Sequence, residues 1–217
     1  MTTADFLTSE TLTAETDACT LTVTASTDGP AAGALRLHYR VRNTGAQPLY
    51  FLNQLWKRAW RDPGRNQVLF GVLPNLANVE VSPEAVTVSK KVTDVPPGLM
   101  VEALRIPFMT RVEPGAAYEE TVELALPLQL NNMYQAGPPN VPAVPRPLHF
   151  ELGYVSFGPA EAIREVATPA GSAFGTDAFP ESEQEVIRVG PFQGSVPVLD
   201  DGRPARQPST GQWTPWG

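Results

Sequence analysis

A chain of 217 residues with a net charge of −7 is long enough to bury a core of its own, and its acidic balance argues against general nucleic-acid affinity, which needs a net basic footprint. With 23 prolines and 17 glycines beside many Thr and Val, it favours short strands and turns over long helices. A single cysteine, Cys19, excludes an intrachain disulfide.

The first residues, MTTADFLTSETLT, contain no basic region followed by an apolar one, so no secretory signal is expected. No apolar run has the length of a membrane span, and the expectation is a soluble, cytoplasmic protein. Residues 1–17 are polar and Thr-rich, with two strand pieces at most. From Ala18, Leu21, Val23 and Ala25 alternate with Thr20, Thr22 and Thr24 until Asp28-Gly29-Pro30, which is a strand and then a turn. Residues 35–41 alternate strictly: Leu35, Leu37, Tyr39 and Val41 face one side, and Arg36, His38, Arg40 and Arg42 the other. That period of two marks a strand with one buried face, paired antiparallel with its predecessor. Asn43-Thr44-Gly45 turns the chain into a second apolar run over 49–55.

Trp56-Lys57-Arg58-Ala59-Trp60-Arg61 follows, and Asp62-Pro63-Gly64 breaks it. Residues 36–65 carry seven of the sixteen basic groups against one acid, a local +6 that leaves −13 for the rest of the chain. Residues 68–73 read as a short buried strand, and 79–81 and 86–88 as two more around Pro83. Residues 101–112 are extended, and Glu113-Pro114-Gly115 should fold them back on 118–126 as a second hairpin. Residues 128–134 suit a strand end or one helical turn, and the proline-rich stretch 137–147 an extended polyproline-like loop. Residues 149–157 are apolar on both faces, the pattern of a central, doubly covered strand. Residues 160–166 are the best helical candidate, with a late-pairing strand as the alternative. Residues 185–189 offer one last strand, and from Gly190 the chain reads as a Pro/Gly-rich tail ending in Trp213 and Trp216.

Short strands at intervals of about ten residues fit an all-β sandwich or barrel. VRNTGAQPLYF, followed by VEPGAAYEETVEL, resembles bacterial immunoglobulin-like sandwiches, in which a strand ends in Asn-x-Gly with Pro-Leu beyond it and Pro-Gly introduces a later strand. The resemblance covers residues 18–158. It implies an all-β, immunoglobulin-like antiparallel β-sandwich with long loops and an extended C-terminal tail, and names no function. The chain departs from the pattern in being about twice a simple domain of that kind and in lacking its cysteine pair. On this reading 1–175 form an enlarged sandwich and 176–217 an extension that docks on the domain or on a partner.

Catalytic signatures are sparse. Ser156 in GYVSFG does not form the G-x-S-x-G elbow, and neither His38 nor His149 has a visible carboxylate partner. No phosphate-binding glycine loop, zinc spacing or calcium loop occurs, so no catalytic residue, metal or cofactor is expected. Acidic clusters such as Glu119-Glu120 read as solvated faces, and Cys19 as a small core residue. Pro142-x-x-Pro145-Arg146 has an SH3-ligand-like spacing that arises by chance in proline-rich loops. Trp56, Lys57, Arg58, Trp60 and Arg61, with Trp213 and Trp216, are the candidate binding residues, because Trp and Arg are over-represented in interface hot spots. A structural reading competes, in which the rings cap the sandwich and the cations pair with nearby acids. The expectation is a non-enzymatic interaction or assembly module with a protein partner or self-association. The alternatives are a carbohydrate- or small-ligand-binding sandwich that stacks on Trp56, Trp60 or Tyr154, and a β-sandwich hydrolase with dispersed carboxylates.

Overall fold

The computed structural model describes residues 5–28, 33–64, 67–96, 98–101, 105–137, 140–156, 163–168, 171–176 and 183–200. The architecture is all-β, with no α-helix among those residues. The strands are β1 (Ser9–Glu15), β2 (Cys19–Thr27), β3 (Ala34–Asn43), β4 (Leu49–Gln54), β5 (Trp56–Asp62), β6 (Gln67–Val72), β7 (Asn78–Val81), β8 (Val86–Lys90), β9 (Phe108–Val112), β10 (Ala117–Ala125), β11 (Leu128–Gln129), β12 (Ala143–Val155), β13 (Arg164–Thr168), β14 (Gly171–Gly175), β15 (Glu185–Val189) and β16 (Ser195–Leu199). No helix among the described residues is long and apolar enough to cross a membrane.

β1, β2, β3 and β10 form an antiparallel sheet in that order. The alternation in the sequence dictates its two faces. Leu21, Val23, Ala25, Leu35, Leu37, Tyr39 and Val41 are fully buried, while Arg36, His38, Arg40 and Arg42 stand outside. Thr11–Thr24 and Thr13–Thr22 hydroxyl pairs, at 2.8 and 3.0 Å, cross-link the outer face.

A larger sheet is organised on β12. Its first half pairs antiparallel with β16. Its second half lies between β15 on one edge and, on the other, parallel β8 followed by antiparallel β4. β4 then pairs with β9, β9 with β14, and β14 with β13. Besides β8 with β12, the short pairing of β11 with β16 is also parallel, where an antiparallel pattern was expected throughout. The two sheets share one core, in which Leu35, Leu37, Tyr39 and Val122 meet Phe51, Leu148, Phe150 and Val196.

Several expectations need correction. Residues 108–112 and 117–125 are strands but not a hairpin: β9 pairs with β4, and β10 with β3 in the other sheet. Gly115 donates to the Asn43 carbonyl at 2.9 Å and Asn43 donates to Ala116 at 3.0 Å, so the turn is zipped to β3 and carries the chain between sheets. Ala143–Pro147 is not a loop but the start of β12, with Pro145 opposite Pro197. No described strand pairs with the other edge at this end, so the missing N–H groups of Pro145 and Pro147 cost no ladder bond. Pro138 and Pro139 lie outside the described residues. Of the helical candidate, Arg164–Thr168 is β13, paired with β14; 160–162 lie outside. Val68 and Leu73 are 46% exposed, so residues 68–73 are no buried strand. The stretch after Gly190 is in part core: Phe192, Val196 and Val198 are buried, and β15 and β16 both hydrogen-bond to β12. The part of the 176–217 extension over 183–200 therefore docks on the domain itself. Asp201, Trp213 and Trp216 lie outside the described residues.

Candidate functional site

Residues 56–62 and 67–72 pair only with each other, so β5 and β6 form a two-stranded hairpin apart from both sheets. Its turn is made by Asp62, whose carboxylate accepts from the Gly64 N–H at 2.8 Å. Its root is held by aromatic packing. Trp56 sits edge-on to Phe70 at 5.2 Å, and Phe70 edge-on to Phe108 of β9 at 4.8 Å. The Trp56 indole N–H donates to the Ile106 carbonyl at 2.9 Å, and the Arg105 guanidinium lies 6.0 Å from the ring centre.

Beyond that root the hairpin is open. Lys57, Arg58, Ala59, Trp60 and Arg61 are all exposed, Trp60 by 45%. Among the described residues Lys57, Arg58 and Arg61 make no ion pair, so no described acid neutralises the cations of this stretch. Trp60 lies across Gly71, where an added Cβ would stand 3.2 Å from the ring. A glycine there leaves room for the edge of the indole against the neighbouring strand.

A cleft of about 220 Å³ opens beside the root. Trp56, Lys57, Arg58 and Arg105 line it together with Asn78, Asn131 and Asn132, and among the described residues no carboxylate does. The structure thus brings Trp56, Lys57 and Arg58 to one cavity and leaves Trp60 and Arg61 farther along the hairpin. Arg105 and the three asparagines carry no local sequence signal; Arg105 comes from the segment before β9, Asn78 from the start of β7, and Asn131 and Asn132 from the segment after β11. As a stacking surface Trp56 is compromised by its committed N–H and the overlying guanidinium. Tyr154 is 1% exposed and cannot serve as one, which leaves Trp60.

The residues considered for catalysis do not converge. His38 meets Thr121 at 3.1 Å on the outer face of the four-stranded sheet. His149 meets Arg188 at 3.3 Å, and burial and the Arg188 charge lower its pKa. Ser156 donates to Glu185 at 3.1 Å, and the same carboxylate accepts from Tyr154 at 2.9 Å. Burial pushes the Tyr154 pKa up to about 12. Cys19 is fully buried and burial raises its pKa, as befits a core thiol.

Sequence reading missed a buried polar cluster between the sheets. Glu120, taken as part of a solvated face, points inward from β10 with its side chain only 14% exposed. It accepts from Lys90 at 2.7 Å, from the Tyr39 hydroxyl, and from Asn53 at 3.3 Å. The Lys90 side chain is fully buried, and its ammonium also donates to the carbonyls of Asn53 and Pro74 at 3.1 and 2.9 Å. Burial lowers the pKa of Lys90, against the opposing pull of Glu120, and raises that of Tyr39. The available signal was phase: Lys90 continues the inward row of Val86 and Val88, and Glu120 falls between inward Tyr118 and Val122.

Comparison of the chain with models of known protein families, with curated proteins and with solved structures found no match.

Proposed function

We propose that the protein is a non-enzymatic interaction module, an immunoglobulin-like sandwich whose β5–β6 hairpin docks on an acidic protein surface. The observation that carries this reading is the run of five exposed residues, 57–61, holding one open indole and three cations that make no ion pair with a described residue. An exposed tryptophan interleaved with arginines is the composition of interface hot spots. The cleft at the hairpin root adds support, since cations and asparagines with no carboxylate among the described residues suit an acidic side chain from the bound surface. The −13 carried outside residues 36–65 makes a second copy of this chain a suitable occupant.

Size-exclusion chromatography with light scattering tests the reading. At about 0.05 M salt, where charges are weakly screened, the native chain should exceed its single-chain mass as concentration rises. It should return to that mass at about 0.5 M salt, and in the variants Trp60→Ala and Arg58→Glu/Arg61→Glu. A single-chain mass at every concentration and salt removes self-docking. If the native chain and both variants then also bind polyglutamate equally, the hairpin is not a docking element.

A further inference from the structure

We propose that Lys90 and Asn53 become joined by an intramolecular amide bond between their side chains, with loss of ammonia and with Glu120 moving the protons. This inference concerns the buried cluster and does not depend on the docking reading.

Backbone register brings the two residues together. β8 pairs with β12 up to Lys90 opposite Leu152, while β4 pairs with β12 on the same edge at Phe51 opposite Tyr154. Two residues farther along antiparallel β4, Asn53 reaches the level of Leu152, where β8 ends. Lys90 Nζ accordingly lies 3.1 Å from the main-chain carbonyl oxygen of Asn53, which brings it to the residue whose side chain it would attack. The side chains then straddle one carboxylate from the opposite sheet: Nζ is 2.7 Å from Glu120 Oε1, and Asn53 Nδ2 is 3.3 Å from Oε2. An amine, a carboxamide and a shared proton carrier are the three groups that amide exchange requires. Tyr39, whose hydroxyl donates to Glu120, and Phe150, whose ring lies 5.3 Å from that of Tyr39, are both fully buried and keep the site apolar on that side.

Two further observations favour reaction over a permanent ion pair. Asn53 Oδ1 is buried without a hydrogen-bond partner among the described residues, which a purely structural network would be expected to supply. Burial also disfavours the charged form of Lys90, and the free amine is the nucleophile. An amide link would replace a buried ion pair, whose desolvation is costly, with neutral groups.

In the reaction Glu120 Oε1 takes one proton from Nζ, leaving a neutral amine. Nζ attacks Asn53 Cγ to form the Nζ–Cγ bond, and a second Nζ proton passes through the carboxyl group to Nδ2. The Cγ–Nδ2 bond breaks and ammonia leaves with three hydrogens; one hydrogen remains on the new amide and one on Glu120. No oxidant, metal or cofactor enters the balance.

Intact-mass spectrometry of the full chain, unfolded just before measurement, tests the proposal. The native protein should weigh about 17 Da less than its sequence requires, the mass of one ammonia, allowing for removal of the initiator methionine. Trypsin should fail to cut after Lys90 and should release a branched peptide joining residues 53 and 90. Lys90→Arg and Glu120→Gln should both show the full sequence mass. A native chain at full sequence mass overturns the proposal, whatever the variants do. So does a deficit carried by a linear peptide, which denotes ring closure at an asparagine. A branched peptide that persists in Glu120→Gln removes Glu120 from the reaction.

Discussion

Asn43 closes β3 at the point where the chain leaves one sheet for the other, and its side chain is fully buried. Its amide donates to the Gln47 carbonyl at 2.8 Å and to the Val112 carbonyl, at the end of β9, at 2.9 Å. Its own oxygen accepts from the Gly45 N–H at 2.9 Å. One side chain therefore shapes the β3–β4 turn and ties it to a strand of the larger sheet. Asn43→Ala removes three hydrogen bonds, each worth about 1 kcal/mol net, and leaves the Val112 carbonyl without this donor in the interior. The expected loss is about 3 kcal/mol, or roughly 5–15 °C in Tm for a domain of this size. Urea and thermal unfolding followed by far-UV circular dichroism would measure it. Asn43→Asp should cost more than Asn43→Ala at pH 7, since it keeps the acceptor but turns a buried anion toward two carbonyl oxygens. A loss below about 1 kcal/mol for Ala, or a milder effect for Asp than for Ala, would refute the assigned role of the donor bonds.

Gly153 lies where a Cβ would collide with the Gln184 side-chain oxygen and stand 2.8 Å from Lys91 Cβ. Gln184 is bonded through both side-chain ends to the backbone of Val92 at 3.0 Å, so Gly153→Ala should cost about 2–4 kcal/mol in denaturant unfolding; a neutral result would show that Gln184 moves aside freely. The pKa of His149 is lowered by burial and by Arg188, so the unfolded chain takes up a proton more readily than the folded one. Its contribution to stability is thus complete above the ordinary histidine value of 6.5 and fades as pH falls through the lower folded value. Denaturant midpoints from pH 7.5 to 5 should show a steeper decline for the native chain than for His149→Gln, and parallel curves would remove His149 as a cause. Cys19, fully buried with its pKa raised by burial, should resist a thiol-specific disulfide reagent at pH 8 in the folded protein and react at once in urea. Rapid labelling without urea would mean that the start of β2 opens readily.

The parts of the fold written in local periodicity were legible from the chain alone. Alternation in residues 20–25 and 35–41 specified β2 and β3, their inner faces and their antiparallel pairing, because a strand with one buried face must repeat every two residues. The two-sided apolar pattern of residues 149–157 likewise identified the central strand, which the structure shows as β12. What local pattern does not specify is the partner. Pro114-Gly115 turns the chain equally well into a hairpin or across to another sheet, and only the competition of β3 and β4 for β10 and β9 decided for the crossing. Composition misled at Ala143–Pro147 and after Gly190, where prolines suggested loop and tail. Two proline-bearing segments pair there because each leaves a ladder position that needs no N–H. Trp56, Lys57 and Arg58 were visible as a cluster in sequence, whereas the cleft beside them exists only once Arg105, Asn78 and Asn131 arrive from distant parts of the chain. The same holds for Lys90, Asn53 and Glu120. Each occupies an inward position on its own strand, and a buried amine, amide and carboxylate become one chemical unit only when two sheets close over them.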